Sequence, residues 1–566
     1  MKTPIFLASC CATLCFAVAA RADVKPSTLF SDHAVLQNGM AVPIWGTADP
    51  GEKVTVKFEG QTKTATAGAD GKWIVRLAKL KPGGPLEMTI AGKNSITVKD
   101  VLVGEVWLGS GQSNMVFNVS QNGHRPYGLL NEEKEIAAAN FPQLRMFTVK
   151  DAKAYTPQTD AAGEWKVCSP ETVPDFSAVG YLFGRDLNQA LKVPVGIILS
   201  AFGASTAESW VPRESMAADP QLKPLLDGFD ARETFFKANP TAMDDKAPVA
   251  PQTLNARPSG KPGPLRDPVQ DQHQPTVLYN GMINPVIPYA IRGAIWYQGE
   301  SIVGGKAGVM LYPHVMETMV TEWRKRWGEG NFPFYAVQLA ALKNASNNPM
   351  VREQQAAILS LPNSGMAVTI DIGDPANVHP KNKEPLGDRL TKIALANAYG
   401  HKIEYSGPVY ASMKVEGGAI RVKFTHAQGL KAAPTPNELA GLYPDKPAAP
   451  AARPAATPDG PRPTPALPPL ATSSAPDPAT IDDAAHLHWF QIAGADGKFV
   501  DADAKIEGDS VVVSSAQVSA PVAVRYAWDN YPAGANLYNG DGLPAAPFRT
   551  DKADALTPIS AEFTGK

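Results

Sequence analysis

VLVGEVWLGSGQSNM, Val101 to Met115, is the stretch that decides the fold. Val101-Leu102-Val103 and Val106-Trp107-Leu108 read as a short apolar strand. Gly109 and Gly111 let the backbone turn sharply at its end, and Ser113 follows at once, where its hydroxyl is exposed. A serine so placed can use its own backbone N–H as an oxyanion donor. Gln112 and Asn114 flank the serine directly, which sets the turn apart from the G-x-S-x-G elbow. A glycine-rich turn with a capping serine fits the same letters, so the partners elsewhere in the chain decide.

Downstream, from about Leu102 to Gly400, strands and helices alternate. Val195 to Leu199, Ala294 to Tyr297, Phe334 to Leu339 and Met366 to Ile370 are apolar strand candidates. Val315/Met316, Met319/Val320, Trp323 and Trp327 mark one face of a helix. Leu390, Ile393/Ala394 and Ala398 mark another, with Gly400 near its C-terminal cap. This alternation predicts an α/β domain with a parallel sheet covered on both faces. Such sheets bind ligands at the carboxyl ends of their strands.

Upstream, Asp23 to about Val101 is all β. Val54-Thr55-Val56-Lys57-Phe58 alternates, and Asp49-Pro50-Gly51, Ala69-Asp70-Gly71 and Pro82-Gly83-Gly84 mark turns. A small β-sandwich is expected there. From about Ile403 to Lys566 β patterning returns, as in Ala419 to Phe424 and Val511-Val512-Val513. A Pro/Ala-rich tract of disordered or polyproline character interrupts it between about residues 432 and 482. Lys246 to Gln274 reads as a polar surface loop, and there is no internal repeat.

A chain of 566 residues is expected to hold roughly three or four domains. Its 53 Lys and Arg balance 55 Asp and Glu without a basic stripe, which argues against nucleic acid as a partner. The first 22 residues look like an export signal. Lys2 precedes the apolar run Ile5 to Ala20, and Ala20-Arg21-Ala22 fits a small-x-small cleavage site, so the mature chain would begin near Asp23 in the periplasm or outside the cell. Leu7-Ala8-Ser9-Cys10 resembles a lipoprotein cleavage box, but the apolar run before Cys10 is too short for one. The leader is also short for a membrane-spanning helix, and no later stretch spans a bilayer. Cys10, Cys11 and Cys15 leave with the signal. Cys168 then stands alone, so no intrachain disulfide forms, and it reads as a small buried hydrophobe. No Cys/His cluster has metal-ligand spacing, and neither a metal nor an organic cofactor is expected.

A serine nucleophile needs a base, an orienting acid and oxyanion donors. Histidine is scarce. His33, His486 and His488 lie in the β domains, His401 at a helix end, His273 in the polar loop and His314 near a helix start. His379 differs, because it follows the strand candidate Met366 to Ile370, in DIGDPANVHP (Asp371 to Pro380). After Val195 to Leu199 comes Ser200 to Ser205, where the Gly203 N–H can approach a substrate oxygen. After Ala294 to Tyr297 comes Gln298-Gly299-Glu300-Ser301, which offers an amide and a carboxylate. Four polar clusters thus stand at four strand ends.

GQSNM around Ser113, WYQGES (Trp296 to Ser301), and VHP followed by Lys383 and GDRL (Gly387 to Leu390) resemble the sialate O-acetylesterase family, a branch of the SGNH hydrolases. LFSDHAVLQ (Leu29 to Gln37), PIWG (Pro43 to Gly46), LYNGMI (Leu278 to Ile283) and GLPAAPFRTD (Gly542 to Asp551) extend the likeness over nearly the whole mature chain. The resemblance implies a flavodoxin-like catalytic domain and hydrolysis of acetyl esters on sugars, with acetylated sialic acid first among substrates. It implies Ser113 as nucleophile, His379 as base, and an oxyanion hole of the Ser113 N–H, the Gly203 N–H and the Gln298 amide. SGNH enzymes commonly carry an Asp two or three positions before the histidine, where this chain has Ala376 and Asn377. Glu300 is the first candidate for the missing acid and Asp374 the second; Asp371 and a bare Ser–His dyad are the other options. Ala204 stands where the family often has a second glycine. Esterases of acetylated xylan or pectin, and a glycan-binding protein with a degenerate site, are the alternatives. Oligomeric state is not legible from the sequence.

Overall fold

The computed structural model describes residues 23–123, 127–248, 264–302, 306–345, 347–442 and 486–551. The first 22 residues, read as a leader with three cysteines, the middle of the stretch read as a polar loop and most of the Pro/Ala-rich tract lie outside them.

The run quoted above belongs to one long strand, β1 (Ser95–Gly111). Its first half pairs antiparallel with Gly83–Ala91 of the N-terminal β region. Its second half enters the central sheet, and there every residue from Val101 to Gly111 is buried. Strand candidates that looked short are therefore parts of a strand that serves two regions, alternating where one face is wet and continuously apolar where both are covered.

The other strands of the central sheet are β2 (Phe141–Thr148), β3 (Trp165–Cys168), β4 (Val195–Ala201), β5 (Gly293–Tyr297), β6 (Phe334–Val337) and β7 (Ser364–Ala367). They run in the order β3-β2-β4-β1-β5-β6-β7. All neighbours are parallel except the edge pair β3–β2, so the sheet is mixed where a parallel one was expected. After β1 the chain builds one side of the sheet, through β2, β3 and β4, and then crosses to build the other. The crevice beyond the carboxyl end of β1 is a topological switch point, where open α/β sheets place their ligands.

Helices cover both faces. Trp107 packs edge-on to Phe183 of α1 (Ala178–Leu191). Trp296 packs edge-on to Trp323 of α2 (Lys306–Trp327). Trp296 aligns with Ser110, which has the opposite parity to Trp107, so the two helices lie on opposite faces. A third helix, α3 (Glu384–Asn397), packs on α1, with Gly387 so close that a Cβ would lie 2.6 Å from the Cβ of Leu182. The central sheet and the N-terminal strands share one hydrophobic core. Among the described residues, the C-terminal strands form two four-stranded sheets and a two-stranded ribbon around a second core, which takes in Val368 and Ile370. That explains why β7 ends at Ala367, short of the expected Ile370: the chain leaves the sheet to pack against its C-terminal part.

Asp371 and Arg389 pin this crossing. Their side chains are buried, paired at 2.6 and 2.8 Å, and Tyr538 donates to Asp371 at 3.0 Å. Removing one member of a buried pair leaves the other charge uncompensated, so Asp371→Ala is expected to cost about 3–5 kcal/mol in urea unfolding. A loss under about 1 kcal/mol would contradict this role.

Candidate active site

The end of β1 turns under tight constraint. Gly111 has φ +132°, and a Cβ there would lie 2.1 Å from the carbonyl oxygen of Tyr297. Only glycine fits both the conformation and the approach. The next residue, Gln112, donates its N–H to that same carbonyl at 2.9 Å. Its side-chain oxygen accepts from the N–H groups of Gly299 and Ser301, both at 3.3 Å. Ser113 then opens a single helical turn, Ser113–Val116. On the other flank, Phe202 donates to the Gly111 carbonyl at 3.0 Å. The loops after β4 and β5 are thus tied to the serine turn from both sides.

His379 meets Ser113 here, with Nε2 and Oγ 2.8 Å apart. Its loop is held by short side-chain bonds to its own backbone. Asp374 accepts from the N–H groups of Ala376 and Asn377 at 2.8 and 2.9 Å, and Asn377 accepts from the His379 N–H at 2.9 Å. The ring of Tyr127 covers the imidazole, with centroids 4.5 Å apart. Burial, with a smaller contribution from the nearby Lys383 cation, pushes the imidazole down to about 4. Neutral imidazole accepting from the serine hydroxyl at Nε2 carries its proton on Nδ1. Among the described residues, no hydrogen-bond partner stands on Nδ1.

The two candidate acids are placed differently. Glu300 reaches the site, but its Oε1 accepts from the side-chain amide of Asn114, and its buried Oε2 has no hydrogen-bond partner among the described residues. Burial raises its carboxyl above the usual range. Asp374 holds the loop backbone, and Asp371 holds Arg389. No hydrogen bond joins any of the three to His379 among the described residues.

The expected oxyanion donors stand at the same strand ends. Gln298 is buried, its Nε2 donates to the Ser205 carbonyl at 3.1 Å, and Gln355 donates to its backbone carbonyl at 2.9 Å. Gly203 sits in the turn closed by the Ser205 N–H on the Phe202 carbonyl at 3.4 Å. Ala204 has φ +56°, the left-handed region that glycine enters freely, in keeping with the glycine often found there.

Residues 269–396 match the family model described as carbohydrate esterase, sialic acid-specific acetylesterase. The sialate O-acetylesterase of Mus musculus is 29% identical over 69% of this chain and 76% of its own length. That of Homo sapiens is 27% identical over 73% and 78%. A carbohydrate acetylesterase from Xanthomonas citri, known from its crystal structure, is 32% identical, with a TM-score of 0.73 over 94% of this chain and all of its own. The chain belongs to the sialate O-acetylesterase family. It is a carboxylic ester hydrolase with a mixed α/β fold.

Three residues beside the Ser–His pair of this family member had no role assigned from sequence: Asn114, Tyr127 and Lys383. Asn114 and Lys383 fall within the quoted similarity, but nothing in their spacing shows that they touch. Tyr127 carries no motif at all. Among the described residues, no helix is long and apolar enough to cross a membrane.

Proposed function

We propose that this esterase removes acetyl groups from O-acetylated sugars, with the 9-O-acetyl ester of sialic acid as its foremost substrate. The observation that carries the reading is the 2.8 Å Ser113–His379 hydrogen bond at the switch point of the sheet. Ser113 Oγ attacks the acetyl carbonyl carbon as its proton passes to His379 Nε2. The Ser113 N–H, the Gly203 N–H and the Gln298 amide donate to the carbonyl oxygen as it becomes negative. The tetrahedral adduct expels the sugar oxygen, which takes the proton from His379, leaving acetyl-Ser113. Water then attacks the acyl carbon, its proton goes to His379, and acetate leaves as Ser113 recovers its proton. The placement of serine, glycine, glutamine and histidine loops around a central parallel strand supports a flavodoxin-like SGNH arrangement. In this reading Asp374 shapes the loop that carries His379, and Glu300 acts on the pair through Asn114. The leader read in the first 22 residues supports action in the periplasm or outside the cell.

His379 works as a base only when neutral, so activity falls as pH drops through its pKa. With that value near 4, kcat/KM is expected to hold at pH 5, where a histidine at its ordinary value would be mostly protonated. An acid limb centred at the ordinary value would contradict the burial argument. Acetate release from 9-O-acetylated sialic acid and from acetylated xylan tests the substrate. Faster turnover of the sialate supports the assignment, and turnover of xylan alone moves it to the plant-wall alternative.

A further inference from the structure

The serine and histidine of the proposed mechanism come from loops far apart in sequence, and one side chain joins them. Asn114 directly follows Ser113, and its Nδ2 donates to the carbonyl of Val378, which directly precedes His379, at 2.9 Å. The same amide nitrogen donates to Glu300 Oε1. Its Oδ1 accepts from Lys383 Nζ at 2.6 Å. All of the amide's principal contacts are therefore taken, and the lysine decides which way it faces: with Oδ1 turned to an N–H donor, Nδ2 must face Glu300 and Val378.

Lys383 is an unusual residue to find there. It is 1% exposed, and its ammonium lies 5.0 Å from the ring centroids of both Phe117 and Tyr297. Burying a lysine is costly unless it is paired. Burial pushes it down to about 7, with the Glu300 carboxylate acting against that shift. The groups that face it are Asn114, Glu300, Phe117, Tyr297 and, through space, His379.

Resting on the acyl-transfer reading above, we infer that Lys383 and Asn114 are positioning residues, a buried relay that fixes the serine turn to the histidine loop and places a cation beside His379. Glu300 closes the relay from the third loop. The cation of Lys383 near the imidazole disfavours imidazolium and adds to the larger effect of burial.

Lys383→Met in the full chain keeps the stem and removes the charge and the donor. It is expected to lower kcat by roughly 10²-fold, as misplaced reacting groups do, with KM within about threefold. The acid limb of kcat/KM should also move up in pH, toward the ordinary histidine value, which loss of packing alone would not cause. Asn114→Asp keeps the shape but cannot donate to Glu300 or Val378. It is expected to lower kcat similarly at unchanged KM, and it decides the matter if Lys383→Met does not fold. Folded variants that keep kcat within about threefold of the parent, or a Lys383→Met acid limb that stays in place, would overturn the relay. Ser113→Ala separates the two ideas: parent-like turnover in that variant sinks the acyl-transfer reading itself.

Discussion

Ser113→Ala is expected to lower kcat by about 10⁴-fold or more, His379→Ala by a similar amount, and the double variant by no more than either alone. In the proposed mechanism nucleophile and base act as one unit: once the hydroxyl is gone, the imidazole has no proton to take. Whatever turnover survives comes from binding and oxyanion stabilisation, which can still assist attack by water. The 2.8 Å contact supplies the geometry for the coupling. Purified variants assayed on an aryl acetate and on acetylated sialic acid would show it. Independent, multiplying losses would mean that the two residues do not work together, and their closeness would then be incidental.

Gln298→Leu is expected to lower kcat by about 10²–10³-fold with little change in KM. An oxyanion donor is worth most where charge develops, so its loss appears in the transition state and not in the bound ester. The substitution also removes the bond to the Ser205 carbonyl, for which a stability loss of about 1 kcal/mol is expected. A change in KM alone would mark Gln298 as a binding group. Full activity would remove it from the oxyanion hole.

The meeting of Ser113 with His379 in the candidate site is legible because strand ends are legible. Val195 to Leu199 and Ala294 to Tyr297 are apolar runs that stop at glycine or polar residues, and the fold brings those stops to one end of the sheet. What was not legible depends on packing across distant segments. The run at Val101 looked short because its continuation back to Ser95 alternates in the manner of a different layer. The antiparallel β3, only four residues long, is not among the strand candidates, and no local pattern gives a strand's direction. The stop at Ala367 follows from the C-terminal core, which claims Val368 and Ile370. At the site itself, Asn377 stands where an acid is common, and its side chain accepts from the backbone N–H of His379 and not from the imidazole. Lys383 lies four residues beyond His379 and 269 residues from Asn114, so only the folded chain brings their side chains within 2.6 Å.

Covalent labelling decides whether Ser113 is the nucleophile, as proposed. The protein would be treated with a fluorophosphonate, digested, and its peptides read by mass spectrometry. A single adduct on the Ser113 peptide, formed more slowly in His379→Ala, is the predicted result. An adduct on another residue, or none in a preparation that hydrolyses acetyl esters, would contradict it.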